Sequence, residues 1–112
     1  MDEINCSVAI IRPKRPYITW ANSLPDADRE LTDDAFQKVS TAILIDEYET
    51  QVEARALINN IWENIFEYEL DAWCTNEAWW PQERTQKMFW QWFDVEFHSI
   101  AFESGKAPIK RV

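Results

Sequence analysis

Over residues 50–73, TQVEARALINNIWENIFEYELDAW, this chain has little freedom of fold. Apolar residues recur there at steps of three and four, the spacing of one helix face. With Ile58 at the origin and about 100° per residue, Ala54, Ile61, Trp62, Ile65, Phe66 and Trp73 share one broad stripe. Glu63, Glu67 and Asp71 fall on the opposite side, as a solvated face should. Thr50 is an N-cap by residue type, and Glu53 three positions later completes a capping box. The spacing predicts one long central helix with its apolar side docked on the rest of the molecule. Glu69 breaks the pattern. It lies about 20° from Ile58 after whole turns are removed, inside the apolar stripe.

The remaining elements follow from local signals. CSVAII, residues 6–11, is short, apolar and β-branched, and reads as a buried strand closed by RPKRP, whose two prolines remove ladder donors. Pro16 can open a short helix in which Tyr17, Trp20, Ala21 and Leu24 share a face. Thr32 reads as the N-cap of another short helix through Phe36, and residues 39–45, VSTAILI, as a second strand. Pro81 or Thr85 opens a helix through about Phe93, and residues 94–102 alternate as a last strand. The expectation is an α+β domain over residues 1–103: a three-stranded, mainly antiparallel sheet covered on one face by helices. Residues 104–112 read as a short basic tail.

Composition narrows the function. The 112 residues include seven Trp but one Gly. Phosphate-cradling loops need several glycines for close backbone approach, so no nucleotide cofactor site can be built, and no cofactor is expected. A net charge of −9 repels phosphate backbones and anionic lipid, which argues against nucleic-acid and membrane partners. The N-terminus starts acidic, and its apolar run, Val8 to Ile11, is too short for a signal peptide. Cys6 and Cys74 then read as free thiols in a cytoplasmic protein.

Chemistry-bearing groups are few. A carboxylate at Glu69 must be paired or face a cleft, because burying it alone costs several kcal/mol. Indole N–H groups, Arg84, Arg12 and His98 are its possible partners. It is either a general acid or metal ligand with a raised pKa, or a packing element that accepts hydrogen bonds. Asp94, Glu96 and His98 alternate, so a strand places them on one face as a weak metal set. Glu69 and His98 are thus the catalytic candidates, though no nucleophile elbow accompanies the single histidine. Arg12, Lys14 and Arg15 gather before a helix start, where cations favour an anion. Trp79 and Trp80 precede Pro81, which stiffens the turn so that one indole caps the core and the other points outward. Flanked by Glu77 and Glu83, the outward ring has the makeup of a recognition surface.

The segments RPKRPYITWANSL, AILIDEYET, ENIFEYELDAWCTNEAWWPQERT and FWQWFDVEFHS together resemble a family of small uncharacterised bacterial proteins of about this length. The likeness runs over nearly the whole chain and is most distinctive from Ile65 to Ser99. It implies a bacterial, cytoplasmic, single-domain protein and brings no activity with it. The residues themselves point to a non-enzymatic interaction or adaptor module with a protein partner or a homodimer. The other reading is a small metal-dependent or carboxylate-based enzyme using Glu69 with Asp94, Glu96 and His98.

Overall fold

The computed structural model describes residues 1–25 and 40–112. In chain order the elements are β1 (Asp2–Ile4), β2 (Ser7–Pro13), α1 (Arg15–Asn22), β3 (Thr41–Ile45), α2 (Gln51–Asn59), α3 (Trp62–Trp73), a 3-10 turn (Glu77–Trp79), α4 (Gln86–Trp92), β4 (Phe93–His98) and β5 (Ala101–Glu103). The fold is α+β, as the sequence indicates. The short helix expected from Thr32 to Phe36, and Val39 of the second strand, lie outside the described residues.

β2 is the middle strand of an antiparallel sheet of order β3-β2-β4. Its alternation sorts the two faces. Ala9 and Ile11 point inward and are fully buried, joined by Ile45 and Phe93, with Ile43, Val95 and Phe97 packed partly against them. The outer face carries Val8, Ile10 and Arg12 opposite His98, Glu96 and Asp94. Pro13 ends β2 opposite Phe93, and Pro16 sits in the first turn of α1, where a missing N–H costs nothing.

The last strand differs from expectation. It stops at His98 and resumes at Ala101 to pair with β1, a strand the sequence did not reveal. Val8 lies opposite His98 and Ile4 opposite Ala101, so three residues, Asn5 to Ser7, face two, Ser99 and Ile100. This one-residue mismatch separates the two ladders, which belong to different sheets. The buried Ser7 hydroxyl donates to the Ser99 carbonyl across it at 3.1 Å.

The long helix is also corrected. It is two helices, α2 and α3, interrupted at Asn60 and Ile61, where Ile61 has φ −131° and ψ 11°. Two adjacent asparagines are weak helix formers, and Asn59 is drawn aside by the Trp90 indole, whose Nε1 donates to its Oδ1 at 2.8 Å. Arg55 lies 3.8 Å from the centre of the same indole, further fixing α2 against α4. The apolar phase survives on each side of the break: α2 buries Ala54 and Ile58, and α3 buries Ile65, Phe66, Glu69 and Leu70.

The predicted start of α2 is present in a modified form. Thr50 Oγ1 accepts from Glu53 N at 3.2 Å, while Glu53 Oε2 accepts from Glu49 N, one residue earlier than in a standard capping box. Thr50→Ala should destabilise the protein by about 1 kcal/mol. The check is a lower urea midpoint with an unchanged slope.

Candidate functional site

Two hollows flank α3 and its exit loop, and their residues come from different parts of the chain. The first is aromatic. After α3 the chain doubles back through the 3-10 turn, and polar contacts fix that loop. Asn76 Oδ1 accepts from Ala78 N, and Gln82 Nε2 donates to the carbonyls of Glu77 and Trp80. Arg84 donates to the Pro81 carbonyl at 2.7 Å and pairs with Glu67 at 3.3 Å. Trp80 is buried and Trp79 is 37% exposed, the division that the Trp-Trp-Pro turn implies.

The loop docks on α1 through its backbone. Trp20 Nε1 donates to the Trp79 carbonyl at 2.9 Å, and Trp80 Nε1 to the Cys74 carbonyl at 2.7 Å. With these N–H groups satisfied, both indoles present hydrocarbon. Trp20, Trp79, Trp80, Trp92, Pro16 and Pro81 line an open groove of about 610 Å³, with Arg15 and Thr19 as polar side chains. Sequence reasoning found Trp79, Trp80 and Arg15 but not the part of Trp20 and Trp92, which are far away in the chain. Their signal was only the surplus of tryptophan. Glu77 and Glu83, the predicted acidic flanks, are exposed on the same loop.

The basic turn is largely engaged with the protein itself. Arg12 pairs with Glu96 at 3.2 Å, and Lys14 Nζ donates to the Trp90 carbonyl at 3.0 Å. A separate hollow of about 600 Å³ lies beside the turn, with Asp94 among its lining residues.

The second hollow surrounds the odd carboxylate. Glu69 is 6% exposed and lines a pocket of about 320 Å³ whose apolar side chains are Ile43, Ile61 and Ile65. Thr41, from the inner face of β3, lies beside its carboxyl in that lining, and among the described residues Oε1 finds no partner. Burial pushes the carboxyl pKa above its ordinary value, and the smaller effect of Thr41 lowers it. The Tyr17 phenol donates to the Glu69 backbone carbonyl at 2.6 Å, and burial, then the nearby carboxylate, hold that phenol well above its usual range. Of the partners expected for Glu69, Arg84 and Arg12 hold other carboxylates, and the Trp20, Trp80 and Trp90 indoles donate elsewhere. Thr41 was overlooked because nothing local links it to α3.

The sheet separates Glu69 from Asp94, Glu96 and His98, so the four do not form one site. On the outer face, His98 Nε2 lies 2.6 Å from Glu96 Oε2. That contact, and then Arg12, hold the Glu96 carboxyl below the usual carboxylate range. Among the described residues, no three His, Cys, Asp or Glu side chains could together hold a metal ion. No described helix is long and apolar enough to cross a membrane. Comparison with protein-family models, curated proteins and solved structures finds no match for this chain.

Proposed function

We propose that this protein is a non-enzymatic interaction module that receives an extended segment of a partner protein in the tryptophan groove. One observation carries the reading: four indoles and two prolines from three elements line one open groove on a loop already held by its own hydrogen bonds. A rigid apolar surface costs little entropy to occupy, and large aromatic anchors supply most of the energy at protein interfaces. The net charge of −9 favours a segment that is apolar at its centre and basic at its flanks. The two free thiols fit a reducing, cytoplasmic setting.

Trp79→Ala should weaken partner binding more than tenfold while leaving the fold intact, because the contact Trp79 gives the fold is a backbone carbonyl. Trp73→Ala is the control: Trp73 is equally exposed, at 36%, but lies outside the groove. Immobilised wild-type and Trp73→Ala proteins should retain a common partner that Trp79→Ala loses, and added salt should loosen it. Equal capture by all three would refute the reading. Self-association through the groove is the homodimer form of the proposal, and sedimentation would then show Trp79→Ala as a monomer.

A further inference from the structure

The Glu69 pocket is independent of the tryptophan groove and has no part in the interaction proposed there. Its composition is that of a small-molecule site: an apolar hollow of about 320 Å³ with a few polar groups converging on it. Ile61 comes from the break before α3, Ile65 from α3 itself, and Ile43 from the inner face of β3. Asn64 and Tyr68 add polar groups from α3. Among the described residues of the lining, Glu69 is the one charged side chain.

Packing does not account for this carboxyl. Its neighbours Ile65, Phe66 and Leu70 are buried hydrocarbon, and a leucine at position 69 would satisfy the same stripe. Instead the position holds an acid with a hydroxyl beside it and, among the described residues, one buried oxygen without a partner. Such an orphan costs stability, and local rules are most often broken where a site needs them broken. The terminal torsion of a glutamate is soft, so either oxygen can turn to meet a donor.

The unmet need selects the ligand. A carboxylate accepts and does not donate, so the ligand brings a hydrogen-bond donor. An anion is repelled both by Glu69 and by the overall charge. A hard divalent ion wants about six oxygen ligands, and the one carboxylate, two hydroxyls and one amide of the described lining fall short. A neutral alcohol supplies a donor but leaves the carboxylate charge uncompensated. An ammonium supplies both donor and charge, and the isoleucines call for a hydrocarbon body. We propose that this hollow binds a small amphiphilic primary amine, with its ammonium on the Glu69 carboxylate and its apolar part against Ile43, Ile61 and Ile65.

The test uses 2-phenylethylammonium and its neutral counterpart 2-phenylethanol, titrated into isotopically labelled protein at neutral pH and followed by amide shifts. The amine should saturate with shifts centred on Thr41, Ile65 and Glu69, and should bind at least tenfold more tightly than the alcohol. Glu69→Gln keeps the shape and removes the charge; it should lower amine affinity at least tenfold and leave the alcohol unchanged. Equal affinity for amine and alcohol, equal amine binding by Glu69→Gln, or shifts spread over the acidic surface would overturn the proposal. So would the absence of saturation at about 10 mM amine. Trp79→Ala should bind the amine as wild type does, which keeps this result separate from the groove.

Discussion

Phe66→Ala should destabilise the protein by about 3–5 kcal/mol, the range for removing a fully buried aromatic ring. Phe66 has no exposed surface and lies where the helices meet the sheet. Its ring centre is 5.2 Å from Phe93, 5.4 Å from Trp92 and 6.2 Å from Phe89, with edge-to-face or tilted geometry throughout. Truncation leaves a cavity among rigid rings that cannot collapse to fill it, so lost contacts add to the lost transfer energy. Domains of this size are commonly stable by about 5–15 kcal/mol, so this one change removes a large share of the total. Tyr68→Ala, on the exposed side of the same helix at 60% exposure, should cost within about 0.5 kcal/mol. Urea unfolding of both variants checks the pair. Equal costs would mean that α3 buries a different face.

Glu69→Gln should stabilise the protein at alkaline pH, because it removes a buried charge while keeping the side chain's shape, and the gain should vanish on acidification. The sign follows from linkage. A folded-state pKa above the unfolded value near 4.5 means the native protein holds this proton more firmly. The group's contribution is therefore complete below the unfolded pKa and is lost as pH rises through the folded one. Glu96 runs the other way: its pKa is lowered, so its contribution is lost as pH falls through its folded value. The wild-type curve mixes both trends, and only the difference between variant and wild type isolates Glu69. Tyr17, the other titratable group held against it, stays protonated throughout this window because its pKa is raised. Denaturation at about pH 4.5 and about pH 8 decides the matter. A difference that does not change with pH would show that Glu69 titrates in the folded protein as it does in the unfolded chain.

The same two residues show what was readable in advance. Phe66 and Glu69 are three apart on one helix, and helical phase places both on the buried face without any knowledge of the rest. The interruption at Asn60 does not disturb that inference, because Ile65, Phe66, Glu69 and Leu70 lie within α3. The break itself was hidden: the apolar period continues across it, and a tertiary contact, the Trp90 indole on Asn59, accompanies it. The break between β4 and β5 was hidden for a similar reason. Alternation marks extended chain but does not say which partner each half finds, so β1 was missed altogether.

The sites follow this division. Pro81 and the adjacent indoles marked a stiff turn, and local stereochemistry sufficed to separate an inward ring from an outward one. What turns that exposed ring into a groove is its meeting with Trp20 and Trp92, a product of topology that spacing alone does not encode. Likewise, helical phase identified Glu69 as buried, but Thr41 and Ile43 reach it from another strand.

The most direct measurement is photo-cross-linking in cells, with benzoylphenylalanine placed at position 79 and, separately, at position 73. The two positions are equally exposed and differ in whether they line the groove. Position 79 should give a discrete covalent adduct with one protein, heteromeric or a second copy of this chain, and position 73 should not. Adducts of the same pattern and yield from both positions, or none from position 79, would contradict a groove built for a partner.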